Sequence, residues 1–290
     1  MQPAQTPPAT VAELLAQARQ AGVDRLDAQL MLGRALQQPR AWLIAHDDHC
    51  LEAAQAQAFA QQVAARAQGV PLAYLLGERE FHGLRLGVTP DVLVPRPDTE
   101  VLVDWALELL AEAEQQRVPD APPGPPAVAD LGTGSGAIAL ALKHSSPQAR
   151  VTAVDLSPAA LAVARGNGQR LGLAVEWLQG DWWAPLAGRR FDLIVSNPPY
   201  IDADDPHLGA LHAEPQAALT PGADGLAALR LLCAGAPAHL HPRGWLVLEH
   251  GFGQGAAVRV LLQAAGFGQL TTRRDLAGHE RCTAGRWAQP

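Results

Sequence analysis

At 290 residues, 48% of them hydrophobic, the chain is long enough to bury a sizeable core and suits one large domain plus a small one. Its 22 basic and 29 acidic residues leave a net charge of −7, which argues against a broad phosphate-gripping surface and leaves room only for a local basic patch. Cys50, Cys233 and Cys282 are scattered and odd in number, a pattern that fits a reducing cytoplasm better than a disulfide framework. The Pro- and Gln-rich start has no basic stretch ahead of an apolar one, and no apolar run reaches membrane-spanning length. A soluble, cytoplasmic protein without a membrane partner is expected. His46-Asp47-Asp48-His49 and His239-Leu240-His241 match no firm ligand spacing, so no metal site is expected either.

The amino-terminal part reads as helical. Thr10-Val11-Ala12-Glu13 is a capping box, after which Val11, Leu14, Leu15 and Ala18 recur at helical spacing up to Gly22. Residues 24–37 and 51–68 give two further helices, the last stopping near Gly69 and Pro71. Together they predict a small helical domain over residues 1–72. It contains no catalytic constellation, so it serves either to dock a partner or as scaffold. Residues 71–95 read as an extended connector, assigned as 73–96, with a hairpin suggested at Phe81-His82-Gly83 and Leu84-Arg85-Leu86. Arg96-Pro97-Asp98-Thr99-Glu100 then opens a helix continuing through Ala111, with Pro97 in a capping role, and begins the large domain of residues 97–290. Val118 to Pro126 is a proline-rich linker expected to be mobile.

The next segment carries the first chemistry. Ala127-Val128-Ala129-Asp130 reads as a strand running into Leu131-Gly132-Thr133-Gly134-Ser135-Gly136 and an apolar helix from Ala137 to Leu142. Strand, glycine turn and helix open a nucleotide-binding α/β unit, in which the glycines let the backbone approach a ligand. The strand 150–154 ends in Asp155, placed to accept hydrogen bonds from ribose hydroxyls. Gly132, Gly134 and Ala137 also satisfy a dinucleotide fingerprint. Asp130 favours another ligand: a carboxylate there repels a pyrophosphate but attracts the ammonium and sulfonium of S-adenosylmethionine. A third strand, 174–178, leads to Gly180-Asp181-Trp182-Trp183, where Asp181 and an indole can hydrogen-bond and flank an adenine ring, with Trp183 open to a core or lid position.

A further apolar run, 191–195, ends at Ser196-Asn197-Pro198-Pro199-Tyr200. The prolines fix their own φ and extend the preceding residues, holding Asn197 and the Pro198 carbonyl rigid at the carboxyl edge of a sheet. Two acceptors so placed can grip both hydrogens of an NH₂ group, with Tyr200 as an aromatic wall for a planar group. Residues 244–249 form another strand, 255–265 a helix and 269–287 a closing hairpin. Arg273-Arg274 reads as a solvated strand face.

These pieces resemble the release factor glutamine N(5)-methyltransferases, the HemK-type family. The resemblance is carried by Val94 to Glu100, Asp130 to Gly136, Asp155, Gly180-Asp181-Trp182, Ser196 to Tyr200, Glu214-Pro215 and Glu249-His250-Gly251, and it extends over nearly the full chain. It implies a Rossmann-like S-adenosylmethionine-dependent methyltransferase fold, an α/β architecture with a seven-stranded sheet whose last strand is antiparallel, joined to a small N-terminal helical docking domain. It implies methylation of the glutamine amide in the Gly-Gly-Gln motif of bacterial class 1 peptide chain release factors, with S-adenosylhomocysteine as product and no stable binding of nucleic acid. By the same resemblance Gly132, Thr133, Gly134, Ser135, Gly136, Asp155 and Trp182 bind S-adenosylmethionine, and Asp130, Asp181 and Asn197 are expected to complete the methyl-donor site. Asn197, Pro198, Pro199 and Tyr200 take the substrate amide, with Asn197 and Pro198 as the catalytic pair. One departure is the connection from Tyr200 to Glu214, shorter than usual and with Ala213 where an aromatic often precedes Glu-Pro, which bears on the local wall of the peptide cleft. Two other readings stay open at this stage: methylation of an exocyclic amino group on DNA, and a noncatalytic S-adenosylmethionine-binding regulator that would not need Asn197.

Overall fold

Helical spacing in the first part of the chain becomes the helices α1 (Val11–Gln20), α2 (Arg25–Leu36), α3 (Arg40–Ala45), α4 (Ala53–Ala67) and α5 (Leu72–Leu76) in the computed structural model, which describes residues 9–115, 124–222 and 224–288. The chain divides into two compact units, one ending at Glu78 and the other beginning at Arg79. In the first, the capping box is present in full: the Glu13 N–H donates to Thr10 Oγ1 at 3.2 Å and the Thr10 N–H to Glu13 Oε2 at 2.9 Å. Val11, Leu14, Ala18, Met31, Leu32, Phe59 and Val63 form its core, and Arg66 pairs with Asp27 at 2.7 Å to tie α4 to α2. The helices α3 and α5, six and five residues long, are too short to show a period in sequence. The stretch from Pro71 expected as extended therefore begins with a helical turn.

The expected hairpin follows as β1 (Glu78–Phe81) and β2 (Leu84–Gly87), joined by His82 and Gly83, both at positive φ as a two-residue turn requires. A 3₁₀ turn at Pro97–Thr99 leads into α6 (Glu100–Gln115). Most of the expected linker, residues 118–123, lies outside the described residues. The remaining elements are β3 (Ala127–Leu131), α7 (Ala137–Ser145), β4 (Arg150–Asp155), α8 (Pro158–Leu171), β5 (Glu176–Gln179), β6 (Phe191–Ser196), α9 (Gln216–Leu219), α10 (Ala227–His239), β7 (Leu240–Glu249), α11 (Gly255–Ala264), β8 (Phe267–Arg274) and β9 (Glu280–Trp287).

The sheet has seven strands in the order β5-β4-β3-β6-β7-β9-β8. From β5 to β7 the neighbours are parallel, while β9 runs antiparallel to both β7 and β8. Alternate residues of the strands feed two cores. Val128, Val151, Leu193, Val195 and Val247 pack with α6 and α7, whereas Ala129, Leu131, Ile194, Leu246 and Leu248 pack with α10 and α11. Coverage of both faces explains why β3 and β6 read as unbroken apolar runs rather than alternating ones. The strand β7 begins four residues before the expected start at Gly244, taking in Pro242. Its pairing with β6 slips between Phe191 and Leu193, so the residue lacking an N–H falls where the ladder is already interrupted.

Cys50 is exposed, whereas Cys233 and Cys282 are buried. Burial pushes the Cys233 thiol up to about 12 and the Cys282 thiol well above its ordinary value. Among the described residues no helix is long and apolar enough to cross a membrane.

Ile194 is fully buried at the centre of the sheet. Ile194→Ala should lower stability by about 3 kcal/mol, from lost burial plus the cavity left behind, read as a lower urea midpoint.

Candidate active site

Leu131 at the end of β3 lies between Val154 on β4 and Ser196 on β6, so the glycine turn, Asp155 and Asn197 leave the sheet side by side. The turn is stitched to its neighbours: the Gly132 and Thr133 N–H groups both donate to the Val154 carbonyl, at 2.9 and 3.0 Å. Gly132 adopts φ +73° and has the Trp182 ring against it, where an added Cβ would sit 3.3 Å from the indole. Only glycine meets both demands.

Asp130 is wholly buried beneath this turn. Its Oδ2 accepts from the Thr133 hydroxyl at 2.6 Å and from the Ala139 N–H at 3.2 Å, whereas Oδ1 has no protein partner among the described residues. Burial raises its pKa to about 7, against the opposing pull of those two hydrogen bonds. A buried carboxylate oxygen without a partner is the arrangement an incoming ammonium group would satisfy.

Asp155 is held by two backbone donors, the Gly134 N–H at 2.8 Å and the Ser157 N–H at 2.9 Å. A cleft of about 260 Å³ opens above it, lined by Gly132, Gly134, Asp155, Asp181, Trp182, Asn197 and Pro199 together with Asp91, Leu93 and Ala218. Three carboxylates border it and, among the described residues, no basic side chain does. Such a lining suits a ligand carrying positive charge and opposes a pyrophosphate. Trp182 adopts φ +43°, a backbone region that a bulky residue occupies at a cost, and this strain presents its ring to the cleft. Trp183 points elsewhere: its ring stacks on His239 at 4.9 Å and its Nε1–H donates to the Leu231 carbonyl at 3.2 Å.

Asp130, Thr133, Ser135 and Gly136 are not among the lining residues. Thr133 carries the Asp130 hydrogen bond, and Gly136 packs behind the turn against Trp177, Leu140 and Ala164. The Ser135 carbonyl accepts from Asn167 Nδ2 at 2.9 Å. Asn167 is buried in α8, and the same Nδ2 donates to the Gly87 carbonyl at 3.0 Å while its Oδ1 accepts from the Gly87 N–H at 2.7 Å. It thus splices β2 to the glycine turn.

A second, smaller cleft is lined by Leu93, Arg96, Asn197, Pro198, Tyr200, Ile201, Leu211, Ala218 and Leu219. Asn197, Leu93 and Ala218 belong to both clefts. Asn197 Nδ2 donates to Thr99 Oγ1 at 3.2 Å, and the Tyr200 hydroxyl donates to Glu249 Oε1 at 3.2 Å. Glu249 is buried, which raises its pKa to about 7 against the pull of the Thr99 hydroxyl, the Arg281 charge and Tyr200. The wall that follows Tyr200 contains a 3₁₀ helix at Pro206–Leu211 and is fastened by Glu214. This carboxylate is buried, accepts from the Val94 N–H at 3.1 Å and pairs with Arg96.

Fold and site together define a methyltransferase of the Rossmann-like class. The family description "Methyltransferase small domain" matches residues 102–223, and "PrmC N-terminal domain" matches residues 9–77. The chain is 52% identical to the release factor glutamine methyltransferase of Bordetella pertussis, over 91% of this chain and 95% of that one. It is 51% identical to the protein of that name from Xylella fastidiosa, over 91% and 94%. The chain belongs to the release factor glutamine methyltransferase family. A solved methyltransferase from Pyrococcus furiosus, 18% identical, superposes with a TM-score of 0.51 over 71% of this chain and 90% of that one, a likeness of fold.

Two outcomes follow from the buried groups. Because the folded-state pKa of Asp130 is raised, the native chain binds this proton more tightly than the unfolded one, and stability falls as pH climbs from about 4 to about 7. Asp130→Asn should therefore raise the melting temperature of the ligand-free protein at pH 8 but not at pH 4, while weakening binding of S-adenosylmethionine, as calorimetry at the two pH values will show. Asn167→Ala removes the splice between β2 and the turn, and should cost about 2 kcal/mol in urea unfolding and loosen the donor site several-fold.

Proposed function

We propose that the chain methylates the side-chain amide nitrogen of the glutamine in the Gly-Gly-Gln motif of class 1 peptide chain release factors, with S-adenosylmethionine as methyl donor. The observation that carries this reading is the meeting of two clefts at Asn197, one bordered by carboxylates and the other by Pro198 and Tyr200.

In the first cleft, Asp155 would hold the ribose hydroxyls of the donor and Asp181 with Trp182 its adenine, while Asp130, buried beneath the glycine turn, would offer its unpartnered Oδ1 to the ammonium group. When bound there, S-adenosylmethionine supplies a methyl group on a positively charged sulfur. The glutamine side chain enters through the second cleft, with Tyr200 beside its planar amide. An amide nitrogen is a poor nucleophile because its lone pair is delocalised into the carbonyl. Asn197 Oδ1 and the Pro198 carbonyl accept its two hydrogens, turn the nitrogen toward the methyl and favour the positive charge that develops on it. The N–C bond forms as the S–C bond breaks, and the amide then gives up one proton. Positioning by a rigid Asn-Pro-Pro turn is the main service of the protein here. The helical unit, which carries no catalytic constellation, docks the release factor, and the reading places the protein in the cytoplasm alongside its substrate.

Labelled S-adenosylmethionine offered to a purified class 1 release factor, to the same factor with its Gly-Gly-Gln glutamine changed to alanine, and to duplex DNA tests the assignment. Label is expected on the intact factor alone; label on DNA would overturn it. Asn197→Ala should lower turnover by about 100-fold or more while the donor binds within a few-fold of the parent. Near-normal turnover of that variant would remove Asn197 from the catalytic pair.

A further inference from the structure

We propose that Thr99 is a positioning residue for methyl transfer, holding the Asn197 side chain with its nitrogen turned inward and its Oδ1 turned to the substrate; this rests on the role given to Asn197 above. An asparagine amide is nearly symmetric in shape, and a half-turn about its last torsion exchanges acceptor for donor. In the wrong orientation Asn197 would present NH₂ to the NH₂ of the glutamine, donor against donor, and the catalytic grip would be lost.

The surroundings of Thr99 select one orientation. Thr99 is buried and accepts from Asn197 Nδ2 at 3.2 Å, and Oδ1 accepts no hydrogen bond from the described residues. A threonine hydroxyl has a single proton to give. Ser196 pairs with Leu248 in the sheet, so Asn197 and Glu249 leave their strands side by side, and the Glu249 carboxyl faces the Thr99 hydroxyl. An ionised carboxylate only accepts, and Glu249 Oε2 has no hydrogen-bond partner among the described residues, so this carboxyl draws the Thr99 proton toward itself and leaves the hydroxyl's lone pairs for Asn197. Thr99 itself is held by its turn: the neighbouring Asp98 lies 3.6 Å from Arg281, which is bound at 2.9 Å to Asp275. The chain Arg281, Asp98, Thr99, Asn197 therefore transmits a fixed direction to an amide that would otherwise have two.

The test is steady-state methyl transfer to a class 1 release factor at pH 8, where Glu249 carries its charge, comparing the parent with Thr99→Val, Thr99→Ser and Glu249→Gln. Thr99→Val keeps the shape and removes the hydroxyl; kcat is expected to fall about tenfold or more, with KM for the factor and Kd for S-adenosylmethionine within about threefold. Thr99→Ser restores the hydroxyl and should recover kcat to within about threefold of the parent. Glu249→Gln can donate to Thr99 and return the hydroxyl proton to Asn197, so kcat should fall several-fold with folding intact by circular dichroism. A Thr99→Val enzyme with kcat within about twofold of the parent, or a Thr99→Ser enzyme as slow as Thr99→Val, overturns the proposal. Should Thr99→Val not fold, Glu249→Gln decides, and parental kcat in that variant overturns it. Asn197→Ala run alongside separates the two levels: full activity there refutes the role of Asn197 itself, whereas a large loss there with parental Thr99→Val refutes only Thr99.

Discussion

Three neighbouring strands, β3, β6 and β7, carry polar groups at their carboxyl ends: Asp130 one residue before β3 stops, and Asn197 and Glu249 side by side one step beyond the pairing of Ser196 with Leu248. Two of these are buried carboxyl groups, and a buried charge is tolerated only where donors or a ligand meet it. Much of the site answers that constraint. Thr133 and the Ala139 N–H cover one oxygen of Asp130 and leave the other for a cation, while Tyr200 and Thr99 turn toward Glu249. The sheet thus does more than support the site: the polar ends of its central strands fix which ligand charges are welcome and where.

The segment 94–100 shows how a loop with little secondary structure becomes indispensable. Val94 and Arg96 engage Glu214, Asp98 approaches Arg281, Thr99 supports Asn197, and Glu100 accepts from the His82 N–H at 3.2 Å. These contacts join the segment to four separate parts of the large unit, at Glu214, Arg281, Asn197 and His82. Glu214 is the counterpart on the far side of the cleft. Its single carboxylate holds both the connector and the segment after Tyr200, so the connection between Tyr200 and Glu214 ends on a fixed post.

Much of this was legible in the sequence, for identifiable reasons. Apolar runs ending in Asp130, Asp155 and Asn197 are local patterns, and a sheet buried on both faces makes such runs easy to see. The glycine turn and the Asn-Pro-Pro-Tyr turn also carry their conformations in their residue types. What was not legible depends on partners far apart in the chain. Asn167 meets Gly87 across 80 residues, Thr99 meets Asn197 across 98, and Val94 meets Glu214 across 120. A lone Asn inside a helix or a Thr after Pro-Asp has no pattern that announces such a partner. Element ends shifted where tertiary pairing extended a strand, as at Leu240, or where helices of five or six residues were too short to repeat.

The distribution of thiols has a practical side. Two of the three cysteines are sealed in the large unit, one in each core layer, with their protons held too tightly for thiolate to form near neutral pH. Cys50, in the helical unit, stands in solvent. A maleimide dye added to the native chain therefore finds one address, far along the sequence from the methyl-transfer chemistry, and the unmodified protein arrives ready for fluorescence work on whatever approaches its helices.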